Sequence, residues 1–292
     1  MSGPILIFGT GGQLGRELLD LCARRGVATL GATRAEADIA DEPAVFAMVA
    51  RAKPRLIVNA AAYTAVDKAE GDIEGAVRGN VRGPGVLAKA AHAAGVPIVH
   101  VSTDYVFDGS KASAYVESDP IAPLGVYGLT KAQGEQALRE AAPHHVILRT
   151  AWVYGAHGAN FLKTMLRLAK ERDELRVVAD QRGCPTHTAD LAEAMLAADA
   201  AIAKGATPWG TFHFAGQGAT TWHGFASEIV AQQATFTGRR PPVRPIATSD
   251  YPTPAKRPAN SELDSTLFAE TFGYRARPWH ERTKETVEAL AR

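Results

Sequence analysis

Ile5-Leu6-Ile7-Phe8-Gly9-Thr10-Gly11-Gly12-Gln13-Leu14-Gly15 gives four apolar residues, a glycine-rich turn and a helical pattern continuing through Leu18, Leu19, Leu21 and Cys22. An unbroken apolar run suits a strand buried on both faces, as in a parallel sheet. Glycines at 9, 12 and 15 allow a sharp turn, close approach of a pyrophosphate to main-chain N–H groups, and tight packing of helix on strand. A strand-to-helix turn without a ligand would use the same residues, so the turn alone does not decide between the two.

The alternation repeats along the chain. A second strand is expected over about 28–33, a helix over 44–52, and a third strand at Leu56-Ile57-Val58-Asn59 running into Ala60-Ala61-Ala62. An Ala-rich helical pattern then carries Asn80 to His92, and a fourth strand comes over 98–102. Strand and helix in strict alternation predict an α/β fold with a doubly wound parallel sheet. Ligands of such sheets sit at the carboxyl ends of strands, where small residues such as Ala60, Ala61 and Ala62 leave room. Tight helix packing would select the same small residues. The second strand ends in Arg34, where NAD-selective sites place an acid on the ribose 2′-hydroxyl. An arginine there suits a 2′-phosphate, so NADPH is expected, with NADH as the second choice. Asp38-Ile39 are spaced to line the adenine, the acid accepting from its amino group.

The fourth strand runs into Ser102-Thr103-Asp104-Tyr105-Val106-Phe107, and Tyr127-Gly128-Leu129-Thr130-Lys131 begins the next helical pattern. Tyr127 and Lys131, four residues apart, share one helical face. Free tyrosine and lysine titrate near ~10 and ~10.4. A fixed ammonium beside the phenol would favour phenolate and bring its pKa toward neutrality. Tyr127 would then give a proton to a carbonyl oxygen as hydride reaches the carbon, with Thr103 hydrogen-bonded to the same oxygen. In isolation such a pair is more often a tyrosine packed on a lysine stem. His92 and His100 read as structural residues.

Composition narrows the class. The chain has 292 residues, 46% hydrophobic and 22% charged, enough for one large core or two unequal ones. Thirty-two basic against 31 acidic residues, with no long run of either sign, give no electrostatic footprint for a nucleic acid polymer or an anionic membrane. Two cysteines, Cys22 and Cys184, argue against a disulfide framework and fit a reducing cytoplasm. No basic-plus-apolar leader precedes the first strand and no apolar run approaches ~18 residues, so a cytoplasmic protein is expected.

Taken together, the glycine turn, Asn59-Ala60-Ala61, the Ser102 to Phe107 stretch and the Tyr127/Lys131 pair resemble the extended short-chain dehydrogenase/reductase family. Tyr63 to Glu70, Arg149-Thr150-Ala151-Trp152-Val153-Tyr154-Gly155, Asn160-Phe161, Asp180-Gln181 with Gly183 and Pro185-Thr186, and Tyr251 to Leu263 are similar to its dTDP-4-dehydrorhamnose reductase branch. The resemblance covers essentially the whole chain and turns the Tyr127/Lys131 pair from a packing motif into a candidate centre. It implies a Rossmann-type domain with a smaller α/β substrate-binding domain, and NADPH-dependent reduction of the C4 keto group of dTDP-4-dehydro-L-rhamnose for cell-surface polysaccharide. Thr103, Tyr127 and Lys131 match the catalytic trio, Lys131 also holding the nicotinamide ribose. Cofactor contacts are implied along Gly9, Gly11, Gly12, Gln13 and Leu14, at Arg34, Asp38 and Ile39, and at Ala60, Ala61 and Ala62. Substrate contacts are implied at Val66, Asp104 and Tyr105, besides Thr103 and Tyr127. Trp152 would cover the sugar ring, a packed core aromatic being the alternative, and Arg257 would meet the diphosphate or the nucleotide, with Asn260 as a weaker companion.

After a fifth strand over 146–151 the chain changes character. A helix over 159–172 with Phe161, Met165, Leu166 and Leu168 as its core face, a helix over 188–204, a strand over 211–214, a helix after Thr221-Trp222 and a Pro-rich loop over 239–258 form a smaller region. Residues 1–155 are expected to bind NADP and 156–292 mainly the substrate, with the chain crossing back to the first domain. Some relatives carry a divalent ion between subunits on three acidic positions. Glu17 and Glu288 match here, but Ala189 stands at the third, so Mg2+ is not expected and a monomer or weak homodimer is. Two other functions remain open: a sugar-nucleotide epimerase or dehydratase, against which Tyr105 replaces the acid of a dehydratase pair, and a regulatory subunit like that of methionine adenosyltransferase.

Overall fold

The structure is a computed structural model describing residues 3–291. Its first half contains β1 (Ile5–Phe8), α1 (Gln13–Arg24), β2 (Thr29–Ala32), α2 (Glu42–Ala52), β3 (Leu56–Asn59), α3 (Val66–Ala69) and α4 (Ile73–Val77). A π-helical turn, Arg78–Arg82, leads directly into α5 (Gly83–Ala93), then β4 (Ile98–Thr103), α6 (Val126–Ala141) and β5 (His145–Thr150). Next come β6 (Val153–Tyr154), α7 (Phe161–Glu171), β7 (Leu175–Val178), β8 (Arg182–Gly183), β9 (Thr186–His187) and α8 (Thr188–Ala203). The chain ends with β10 (Gly210–His213), β11 (Thr220–Thr221), α9 (Trp222–Thr237), β12 (Val243–Ile246), α10 (Thr266–Phe272) and α11 (Trp279–Ala291).

Six of these strands form one parallel sheet in the order β10-β5-β4-β3-β1-β2. Alternate residues of each strand face opposite ways. Ile5, Ile7, Leu56, Val58, Val99, Val146 and Leu148 therefore pack against α1, α8 and α10. Leu6, Phe8, Ile57, Ile98 and Ile147 pack on the other side against α2 and α5. The direction of winding reverses between β1 and β3, and the crevice at their carboxyl ends is where a doubly wound sheet receives a ligand. A smaller core gathers α7, α9 and α11 around Tyr154, Leu162, Phe225 and Trp279.

Several elements differ from the sequence expectations. The third strand stops at Asn59, because the Asn59 side chain takes the Ala61 N–H at 3.0 Å and turns the chain out of the sheet. The helix near 161–171 buries Leu162, Met165 and Ala169, while Phe161, Leu166 and Leu168 flank that stripe half-buried. The segment expected as a Pro-rich loop contains β12, which pairs with β7 in parallel despite Pro245. Both strands lie at the edges of a two-stranded sheet, where a missing N–H is tolerated. The 188–203 helix and the 210–213 strand, expected within the smaller region, lie instead with the large sheet. Leu191, Ala192, Met195 and Ala198 pack with Leu14, Leu18 and Leu21 of α1, and β10 extends the sheet beside β5.

Candidate active site

The glycine turn after β1 has the shape its sequence predicts. Gly9 has φ +90°, and a β-carbon there would come within 2.5 Å of the Ala61 N, so only glycine lets the β1 and β3 exits lie together. At Gly15 a β-carbon would overlap the Gly9 carbonyl, which accounts for the close seating of α1 on the turn. Gly12 caps α1 with no side-chain hydrogen bond, and the first helical turn carries no acidic residue. Free N–H groups at a helix start with no carboxylate near them fit a pyrophosphate.

The neighbouring positions fit less uniformly. The Gln13 side chain turns away, its amide donating to the Val153 carbonyl at 3.3 Å and its oxygen accepting from Asn160 at 3.3 Å. Leu14 and Ile39 bury their side chains in the two cores, leaving mainly backbone to face a ligand. Ala60 and Ala61 are half-buried and Ala62 is exposed at the crevice. Arg34 is exposed and its Nε meets Asp38 at 3.2 Å. Arg78, which sequence reading missed, meets the same carboxylate oxygen at 3.0 Å from the π-helical turn. Burial works against the Asp38 charge, yet the Ala40 N–H and the two guanidinium groups hold its carboxyl below the usual range.

Thr103, Asp104, Tyr105, Tyr127 and Lys131 come together at the end of β4 and the start of α6. Thr103 ends β4 and caps a short 3-10 turn, its hydroxyl accepting the Tyr105 N–H at 3.2 Å and donating to Asp104 at 2.9 Å. The Tyr105 and Tyr127 rings meet edge to face, centroids 5.6 Å apart. A β-carbon at Gly128 would overlap the Tyr105 carbonyl, so glycine there lets α6 start against that turn. Lys131 is buried and its Nζ donates to the Val101 carbonyl at 2.7 Å.

The electrostatics depart from expectation. Burial pushes the Tyr127 phenol up to about 12, with the Thr103 hydroxyl pulling the other way and the Asp104 charge adding to the rise. Burial outweighs any effect of the neighbouring Lys131. The lysine's own amine is brought down to about 8 by burial, with Glu135 opposing the shift. Burial likewise raises Asp104 to about 6. In this arrangement the Tyr127 phenol stays protonated at neutral pH, and the Lys131 ammonium gives one of its three N–H donors to the backbone of β4.

Val66, Tyr105 and Tyr127 line one small pocket with Gly125, Ala255 and Pro258. Arg257 pairs with Asp67 at 2.8 Å, and its guanidinium lies 6.0 Å from the Tyr105 ring centre, beside that pocket. Burial opposes the Asp67 charge, but the Arg257 and Ala255 donors hold its carboxyl below the usual range. Asn260 is built in differently: its amide donates to the Lys111 and Ser113 carbonyls at 2.8 and 2.9 Å, a loop tie rather than a ligand contact. Trp152 has φ +47°, unusual for a bulky residue, and its indole stacks on Trp222 with centroids 3.6 Å apart. Both the packing role and the sugar-covering role were open for Trp152, and the packing half is clear here. Among the described residues no group of three or more His, Cys, Asp or Glu is arranged to hold a metal ion.

A doubly wound sheet with a glycine turn at its switch point and a Thr/Tyr/Lys set at the next strand end defines the short-chain dehydrogenase/reductase class. Residues 3–292 match the family described as the RmlD substrate binding domain. The chain is 46% identical to a dTDP-4-dehydrorhamnose reductase from Aggregatibacter actinomycetemcomitans, over 98% of this chain and 99% of that one. The dTDP-4-dehydrorhamnose reductase structure from Clostridium acetobutylicum superposes with a TM-score of 0.91 at 40% identity, covering 99% of this chain and all of that one. A Bacillus anthracis structure of the same name, in complex with NADP, gives 0.90 at 32% identity over 99% and 100%. The chain belongs to the dTDP-4-dehydrorhamnose reductase family.

Proposed function

We propose that the protein reduces the C4 keto group of dTDP-4-dehydro-β-L-rhamnose with NADPH, giving dTDP-L-rhamnose, and that Thr103, Tyr127 and Lys131 carry the reaction. The observation that carries this reading is the convergence of those three side chains beside the crevice formed by the glycine turn and Ala60-Ala61. NADPH, when bound, supplies the hydride. The uncapped start of α1 would hold its pyrophosphate, and Arg34 its 2′-phosphate. Tyr127 gives its proton to the C4 oxygen as negative charge develops there, and Thr103 hydrogen-bonds that oxygen. A buried phenol with a raised pKa is a poor donor at rest and a good one toward an alkoxide, which is far more basic. The Lys131 ammonium keeps N–H donors beyond the one given to Val101, and these would hold the nicotinamide ribose. Val66, Asp104 and Tyr105 shape the sugar side, Trp152 borders it, and Arg257 faces the diphosphate.

Residues 1–155, completed by α8 and β10, hold the cofactor, and the rest of 156–292 supplies most substrate contacts. No helix among the described residues is long and apolar enough to cross a membrane. Glu17 accepts the Thr188 hydroxyl at 3.1 Å within its own chain. With Ala189 beside it, a monomer or weak dimer indifferent to EDTA in sedimentation is expected. The test of function is consumption of NADPH with dTDP-4-dehydro-L-rhamnose generated in place by the upstream enzymes. Rapid oxidation that disappears in Tyr127→Phe supports the reading, and no oxidation by a folded, cofactor-binding protein refutes it.

A further inference from the structure

Beneath the site lies a buried ion pair that takes no part in the proton transfer. Glu135 of α6 is buried, with both carboxylate oxygens occupied. Its Oε1 accepts from the Ser102 hydroxyl at 2.5 Å and from Arg149 Nε at 2.9 Å. Its Oε2 accepts from Arg149 Nη2 and from Arg139 Nη2, each at 2.8 Å. Ser102 directly precedes Thr103 and pairs in register with Arg149 across β4 and β5. Arg149 is itself buried, its guanidinium 5.2 Å from the Phe107 ring centre. Glu135 lies one helical turn beyond Lys131, so both project from the same face of α6.

Two strands and the catalytic helix therefore meet on one carboxylate. We propose that Glu135, held by Arg149 and Ser102 one helical turn from Lys131, is a positioning residue that keeps Lys131 charged without touching substrate or cofactor. The inference rests on the assignment of Thr103, Tyr127 and Lys131 to the reduction.

A buried charge pair is seldom a net gain in stability over well-packed apolar residues, so its retention calls for another account. Lys131 supplies one. Its only hydrogen-bond acceptor among the described residues is the Val101 carbonyl, which carries no charge to offset burial. The charged and titratable groups around it are few. His100 on β4 is kept neutral by burial and by Lys131 itself. Tyr127 on α6 is neutral, Arg149 on β5 stands behind Glu135, and Glu135 supplies the negative charge that favours the ammonium. Burial opposes the Glu135 charge, and Arg149, Ser102 and Arg139 keep it ionised. The chain of influence runs from Arg149 through Glu135 to Lys131.

The experiment compares wild type, Glu135→Gln, Glu135→Asp and the double variant Glu135→Gln/Arg149→Met. Two readouts are taken on each: the titration of Lys131 followed by NMR of selectively labelled lysine, and the pH dependence of kcat/KM. In Glu135→Gln the Lys131 titration and the alkaline limb of the profile should both move down by about one pH unit. Glu135→Asp should restore most of both. The double variant leaves no buried guanidinium orphaned, because Arg139 is partly exposed and also donates to Thr211, and it should recover thermal stability while its alkaline limb stays low. A limb that recovers together with stability, or a Lys131 titration unmoved in Glu135→Gln, overturns the proposal in favour of a purely structural pair. If wild type turns over no substrate, the reading of the site fails, and the lysine titration alone then decides whether Glu135 governs the ammonium.

Discussion

The Lys131 ammonium donates to the carbonyl of Val101, two residues before Thr103 on the same strand, at 2.7 Å. That bond ties the helix carrying Tyr127 to the strand carrying Thr103. It also separates two roles that the spacing of Tyr127 and Lys131 had merged, because burial keeps the phenol's pKa raised beside the cation. Tyr127→Phe removes only the phenolic hydroxyl, the proton source, so turnover should fall about 10²- to 10⁴-fold while NADPH affinity changes less than about twofold. Lys131→Ala removes the tie and the proposed ribose donor, so it should damage both. Steady-state kinetics with cofactor titration check this; near wild-type turnover in Tyr127→Phe would take the donor role from that residue.

Arg34 and Arg78 share one oxygen of Asp38, at 3.2 and 3.0 Å. Two guanidinium groups gathered on one carboxylate make a place where a 2′-phosphate can compete for the same donors. Alanine at either position should weaken 2′,5′-ADP binding by about tenfold, roughly the worth of one charge-assisted hydrogen bond. Binding of 5′-AMP should stay within about twofold. Calorimetry with the two nucleotides separates the cases. Equal losses for both would place the arginines on the adenine or on Asp38 alone, and turnover with NADH matching that with NADPH would count against the phosphate role.

Arg78 also shows where sequence reading ends. The large sheet was legible because Ile5 to Phe8 and Leu56 to Val58 are apolar without interruption and Ile98 to Val101 is broken only by His100, and a strand covered on both faces demands such runs. The meeting of Thr103 with Tyr127 was legible through a strand end and a helix start that the winding rule places side by side. Arg78 was not, because it lies in an Ala-rich helical pattern and reaches Asp38, 40 residues away, only through the π-helical turn at 78–82. β12 was hidden by Pro245, which reads as a breaker and here occupies a tolerated edge. Leu191 and Met195 gave no sign of their side of the molecule, since a helix apolar on most faces does not announce which sheet it covers. The protonation of Tyr127 and Lys131 could not be read from spacing, because burial outweighs any partner and depends on the whole fold.

Asp104 carries a pH signature. Burial raises its carboxyl from the ordinary value of 3.8 to about 6. The folded state therefore binds more protons than the unfolded chain between those values, and stability falls as pH rises through that window. Asp104→Asn keeps the shape without the charge. It should be more stable than wild type near neutrality, by up to about 3 kcal/mol, with the advantage vanishing toward pH ~4. Urea unfolding across that range tests it, and a constant difference between the two proteins would mean that Asp104 does not titrate with folding.

Gly183 lies so close to the Trp152 indole that a β-carbon would come within 2.5 Å of its ring. The indole is stacked on Trp222 at 3.6 Å and tilted only 9° from it, and Phe161 backs Trp222 at 4.6 Å. Trp152 cannot give way toward Trp222, so Gly183→Ala must shift the pair or the strand, at a cost of about 1–3 kcal/mol. The functional consequence depends on what the remaining indole surface does. If it borders the sugar, KM for the dTDP-sugar should rise about tenfold while NADPH affinity holds, and the near-ultraviolet circular dichroism of the stacked indoles should change with it. If Trp152 is only a joint between the two cores, the dichroism and stability will change and KM will not. A rise in KM without a loss of cofactor affinity identifies the sugar-bordering role even in a weakened protein.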